Sequence, residues 1–442
     1  MTIMKVETVS RQLIKPSSSS SSRLHKLCLL DQIAPHGYNP ILLFYPTALS
    51  ESDFQQLVYD NLRVSLSKTL AYMQPLAGRL KDDFTIECND DGVDFVVVKV
   101  FEEMSSVLRH PKTDLLRQLL PVNPETVSSS TRALLMVQVN RFACGGLAVG
   151  LCTSHAVTDA VSMTAFLKTW ARINRRGGEN DDDDDEVVAK GFVVLDCTPF
   201  FPPRDVNGFS LIPLNTPAAA SSVSTRRLIF AASKIAALRE SADQGCRRPS
   251  RVEAVSALIW EAVIAAFRET NPAMKTHIML SAIDLRSKMQ PPLPQESIGN
   301  IFHVTEAKWE ATADAVAIHY NSLVGKVQES MQRAKNTTFT PMHFGDEFLK
   351  AVKSGIEMMR NSEDIGFLMT SSICRFPVYE IEFGFGKPEW VGNGIRAMNV
   401  CILSDTKNGN DIEAFLGLSE EHMHILEHNP TFLSHVSFIQ SL

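Results

Sequence analysis

Apolar and polar positions run along this chain in two periods, and the switches between them mark its elements. Runs at Val6–Ile14, Ile41–Tyr45, Phe84–Cys88, Val93–Val100, Leu134–Phe142 and Leu147–Cys152 read as strands. The pair 84–88 and 93–100 is expected to form a hairpin through Asn89-Asp90-Asp91-Gly92. Apolar residues recur at helical spacing over 52–73, which Ser52 can cap, and over 160–173. Six serines, Ser17 to Ser22, read as a loop.

From Arg175 to about Leu214, acids, glycines and prolines break both periods, as a linker between two domains would. Beyond it the pattern predicts a strand at 227–230, a helix at 250–269, a strand at 277–284 and helices at 311–334 and 345–359. Strands at 367–376, 394–403 and 412–416 and a helix at 419–427 follow. Mingled strands and helices give a mixed α/β (α+β) fold with two layers per domain. The expected boundaries are an amino-terminal domain over 1–195, a crossover over 196–223 and a carboxy-terminal domain over 224–442.

Composition narrows the function. At 442 residues the length suggests two or three domains, and with 44% apolar and 21% charged residues the chain can bury a full core without metals or disulfides. A net charge of −7 argues against broad nucleic-acid binding. Much of that excess lies in the run Asp181 to Glu186, which reads as a solvated loop. Eight scattered cysteines without Cys-x-x-Cys fit reduced thiols in the cytosol. No apolar run is long enough to span a membrane, and no signal core opens the chain, so a cytoplasmic location is expected.

The chemistry centres on His155-Ala-Val-Thr-Asp159, between a buried strand and a helix. A histidine so placed is held rigidly, and imidazole suits proton removal near neutral pH. A second His-x-x-x-Asp, His110 to Asp114, lies in polar sequence with Pro111 and reads as coincidence. Cys152 and Ser154 are conceivable nucleophiles, although Ser154 should face away from His155. Arg247, Arg248, Ser250 and Arg251 open a helix, a setting suited to a phosphorylated ligand. Arg286, just past a strand, could contact a ligand or partner Asp159. His424-Ile-Leu-Glu-His428 has the form of an inverted zinc-protease motif, but too little chain follows to supply a third ligand. Glu382-Phe383-Gly384-Phe385-Gly386 reads as a tight turn between packed rings.

As a set, His155 to Asp159 and Glu382 to Gly386 resemble the paired signatures of the plant BAHD acyltransferases, nearest the vinorine synthase-like branch. Leu285 to Met289, Ile298-Gly299-Asn300, Leu30-Asp31-Gln32 and Pro75 to Arg79 stand in the expected order, so the resemblance covers nearly the whole chain. Glu382 and Phe385 depart from the family's Asp and Trp, and Ile373 stands where many relatives have Trp.

The resemblance implies two similar-sized domains of the chloramphenicol acetyltransferase-like fold with a channel between them. The first sheet would be completed by a stretch within about 371–400. It implies acyl-CoA, most often acetyl-CoA, as co-substrate, no metal, a small-molecule alcohol as acceptor, and a monomer. His155 would act as general base, with Asp159 in structural support and paired to Arg286. Arg247, Arg248, Ser250, Arg251, Ser371 and Ser372 would meet CoA. His36, Tyr38 and Ile373 would line the acceptor side. Arg286, Glu382, Phe383, Gly384, Phe385 and Gly386 would be structural. The competing function is a catalytically silent small-molecule binder on the same scaffold.

Overall fold

Leu147–Ser154 is buried along its whole length, and a six-stranded mixed sheet forms around it. The order is Val6–Ile14, Val93–Val100, Leu135–Arg141, Leu147–Ser154, Tyr38–Tyr45 and Trp390–Gly392. Only Val93–Val100 and Leu135–Arg141 run parallel to each other. The last strand comes from the carboxy-terminal half and pairs with Leu42–Phe44. One face of the sheet packs on helices Arg63–Tyr72 and Ala160–Arg175, through Leu66, Leu70, Phe166 and Trp170. The opposite face packs Phe44, Val98 and Met136 against Leu116 and Leu119.

These descriptions come from a computed structural model covering residues 4–18, 23–35, 37–126, 133–176, 195–206, 223–242, 247–311, 318–361 and 364–441. The acidic run 181–186 and His36 lie outside the described residues.

The second sheet has seven strands: Phe302–Glu310, Thr276–Asp284, Ile365–Ser372, Val400–Asp405, Ile412–Ser419, Val223–Phe230 and Phe438–Ser441, in that order. Thr276–Asp284, Ile365–Ser372 and Val400–Asp405 are mutually parallel, so their carboxyl ends share one edge. Helix Arg251–Thr270 covers one face with Val255, Ile259, Trp260 and Val263. A small third sheet joins Arg23–Lys26, Thr85–Cys88 and Arg79–Asp82. The result is a mixed α/β protein with two sheet-containing domains.

Several sequence expectations are corrected. Thr85–Cys88 does not form a hairpin with Val93–Val100; its partners are Arg79–Asp82 and Arg23–Lys26, while Val93–Val100 joins the main sheet. The positive φ of Asp90 (52°) and Gly92 (92°) turns the chain from one sheet to the other. Ser50, not Ser52, caps the long helix, accepting from Asp53 N–H at 3.1 Å. Trp390–Gly392 and Val400–Asp405 replace the single strand expected at 394–403. The helix expected at 311–334 spans Tyr320–Asn336. Before it lies a strand the pattern did not reveal, Phe302–Glu310, whose far edge is unpaired among the described residues.

Candidate active site

His155 sits one residue past a strand end, yet its backbone is fixed. Ser154 pairs with Tyr38, and the His155 N–H then donates to the Gly37 carbonyl at 2.9 Å, carrying the ladder one bond further. Thr158 Oγ1 donates back to the Ser154 carbonyl at 3.0 Å. Asp159 then caps helix Ala160–Arg175, accepting from Ser162 N–H at 2.8 Å. The histidine is clamped between a strand and a capped helix.

The ring meets the other half of the molecule. His155 Nδ1 lies 3.0 Å from Asn300 Oδ1. Asn300 Nδ2 donates to the His155 carbonyl at 2.7 Å and to Asp31 Oδ1 at 3.0 Å. Both of those partners only accept, so the amide nitrogen must face them. Its oxygen therefore faces His155, and Nδ1 must carry the ring proton. Nε2 is left as the basic nitrogen of a partly exposed ring. Burial holds the ring below the ordinary histidine range, against opposing pulls from its hydrogen bonds and from Asp159. The neutral form is thus favoured near pH 7, as a general base requires.

Arg286 closes the cluster. It is fully buried and donates to both oxygens of Asp159, at 2.9 and 3.0 Å. It also meets Asp284, Ser162 Oγ and the Ser297 carbonyl. Ile301 N–H adds a third donor to Asp159, at 3.1 Å. Those contacts commit the Asp159 carboxylate to the junction between the sheets.

The candidates for CoA gather at one edge. Ser371 and Ser372 end strand Ile365–Ser372, beside the carboxyl end of Thr276–Asp284 that carries Arg286. Arg251 donates to Asp405 at 2.8 Å, and Asp405 also accepts from Arg375 N–H at 2.6 Å, which ties the helix start to this strand end. Ser250 caps the helix in a capping box with Glu253. Arg247 pairs with Glu253 at 2.8 Å, and Arg248 reaches Glu240 at 3.8 Å; both arginines are about half exposed. The carboxyl edge of parallel strands is where open α/β sheets bind ligands.

Other candidates fall elsewhere. Tyr38 is buried against Leu42 and Phe44, its hydroxyl donating to the Ala133 carbonyl at 2.7 Å, so it is a core residue and not part of an acceptor wall. Ile373 is half-buried just beyond Ser372, its N–H on the Leu403 carbonyl. Burial pushes the Cys152 thiol far up, against a nucleophilic thiolate. Ser154 Oγ is buried with no hydrogen-bond partner among the described residues. His424 and His428 stack on a helix face at 4.3 Å. Among the described residues no group of three or more His, Cys, Asp or Glu could hold a metal ion. No described helix is long and apolar enough to cross a membrane.

The Glu382 to Gly386 turn lies at the far end of helix Ala160–Arg175. Glu382 accepts from Gly384 and Gly386 N–H, both glycines at φ 99°, and pairs with Arg175 at 3.1 Å. Asn174 donates to the Phe383 carbonyl at 2.5 Å, and Phe383 and Phe385 pack on Tyr45. A helix of 16 residues is about 24 Å long. The turn therefore anchors the returning strand and does not reach His155.

Two participants escaped sequence reasoning as functional residues. Asn300 and Asp31 stand out in the sequence only as landmarks, because buried polar pairs between distant segments leave no local pattern.

A two-sheet fold with one neutral histidine at the junction fits an acyltransferase, and comparisons with known proteins agree. The model described as Transferase family matches residues 4–433. Limonoid 21-O-acetyltransferase of Melia azedarach is 34% identical, covering 98% of this chain and 99% of its own. Salutaridinol 7-O-acetyltransferase of Papaver somniferum is 32% identical, with 95% of each chain covered. The crystal structure of vinorine synthase superposes with a TM-score of 0.81 at 29% identity, covering 98% of both chains. The chain belongs to this family, the BAHD acyl-CoA-dependent acyltransferases.

Proposed function

We propose that the chain transfers an acyl group, with acetyl the preferred donor, from acyl-CoA to the hydroxyl of a plant alkaloid or terpenoid, and that His155 is the general base. One observation carries the role of His155: Asn300 occupies its Nδ1 and leaves Nε2 basic. The choice of donor and acceptor rests on similarity to a limonoid and a salutaridinol acetyltransferase.

In this reading the acceptor hydroxyl attacks the thioester carbonyl while Nε2 takes its proton. Donors near Ser371 and Ser372 hold the tetrahedral oxyanion. Collapse expels CoA thiolate, which recovers the proton from the imidazolium; ester and CoA thiol leave. Arg247, Arg248, Ser250 and Arg251 contact CoA on one side of a channel between the domains. Ile373 and the segment around His36 serve the acceptor on the other. The amino-terminal domain covers 1–195, the crossover 196–223 and the second domain 224–442. The protein works as a cytosolic monomer.

The test is CoA-thiol release with several acyl-CoAs against a panel of limonoid and alkaloid alcohols. Turnover with acetyl-CoA and at least one such alcohol is expected. Tight binding of both substrates without thiol release would point to the silent binder instead.

A further inference from the structure

The amide that meets Nδ1 of His155 is itself held by a carboxylate that never touches the ring. Asp31 comes from the short segment Leu29–Gln32, some 120 residues before the histidine and 270 before Asn300. It is nearly fully buried, and Oδ1 accepts twice from Asn300: from the backbone N–H at 2.8 Å and from Nδ2 at 3.0 Å. Oδ2 accepts from Cys28 Sγ at 3.0 Å. Flipping the Asn300 amide would set its oxygen against this carboxylate and the His155 carbonyl, two acceptors at once. That repulsion, in a buried setting, leaves one orientation.

We propose that Asp31 is a positioning residue for His155, fixing the Asn300 amide and through it the Nδ1–H tautomer that leaves Nε2 basic. This inference rests on the general-base reading of His155. When Nε2 takes the acceptor proton, positive charge on the imidazolium polarises the Asn300 amide, whose N–H points at Asp31. The carboxylate thus steadies the charged ring through an interposed amide. Other ionisable groups face the pair: Asp159, held by Arg286, beside His155, and His25, Cys28 and Cys197 around Asp31.

The experiment has three arms. In uniformly 15N-histidine-labelled protein, His155 should show a protonated Nδ1 and an unprotonated Nε2; the reverse pattern overturns the proposal. Asp31→Asn should lower kcat roughly tenfold or more with both KM values little changed, and move the acidic limb of the pH–rate profile to lower pH. The exchange variant Asp31→Asn with Asn300→Asp puts a carboxylate directly on Nδ1, and should regain part of kcat while shifting that limb upward. A soluble Asp31→Asn enzyme with unchanged kcat and pH profile defeats the inference. His155→Ala, assayed alongside, separates the two readings: if it stays active, the general-base role itself fails.

Discussion

Arg286 and Asp159 meet through two hydrogen bonds of 2.9 and 3.0 Å, both side chains out of solvent, and so join the two sheet domains directly behind His155. Removing one partner of such a pair strands the other charge. Asp159→Ala also strips a helix cap, worth about 1 kcal/mol. The expected loss is about 3–5 kcal/mol, read as a lower denaturation midpoint and poor soluble yield. A variant as stable as the parent yet inactive would make Asp159 a direct participant in the chemistry.

His155→Gln should cut kcat by roughly 10²–10⁴ while the protein keeps its melting temperature and still binds acyl-CoA. Thermal shift with CoA and thiol release together check both halves. Retained turnover removes His155 from the mechanism.

The acid dependence of the rate follows from the same ring. Burial lowers the proton affinity of His155, and only its neutral form can accept a proton. Activity should hold as pH falls to about 6.5, the ordinary histidine value, and drop only below it. A limb centred well above that value contradicts this environment.

His277 offers an independent stability test. It is buried beside Phe267 and Trp309, and burial lowers its pKa to about 4. Its folded-state pKa lies below the unfolded value of about 6.5, so the unfolded chain binds more protons between the two. Stability should therefore fall as pH drops through that window. Replacing His277 with Leu should raise the melting temperature at pH 5 relative to the parent, with a smaller difference at pH 7.5. Equal differences at both pH values would argue against a neutral buried ring.

At the Glu382 turn the sizes of effect should separate. Its ion pair with the half-exposed Arg175 is worth little, so Glu382→Gln should cost under about 1 kcal/mol. Asn174 is buried and bridges Ser65 and the Phe383 carbonyl; Asn174→Ala should cost about 1–3 kcal/mol. Neither should change kcat by much, since the turn lies a helix length from His155. Urea titration paired with initial rates decides this.

Much of the site was legible in the sequence because it is local. A buried strand, a histidine, an aspartate four positions on and a helix follow one another between 147 and 175, and no distant contact is needed to see them. Phe302–Glu310 was not legible: it is an edge strand whose exposed positions are polar, so no apolar run announces it. Asn300 stands just before that strand, so its place beside His155 was hidden with it.

By itself the sequence determined most of the strands and helices, the strand-to-helix turn at His155 and the family resemblance. Periodicity and short motifs are written in neighbouring residues. Only the tertiary structure decided between a ligand and Asp159 as the partner of Arg286, placed Tyr38 in the core, and set Asn300 against His155 with Asp31 behind it. Those outcomes depend on burial and on pairing across more than a hundred residues, where the scarcity of buried partners, and not local propensity, selects the contact.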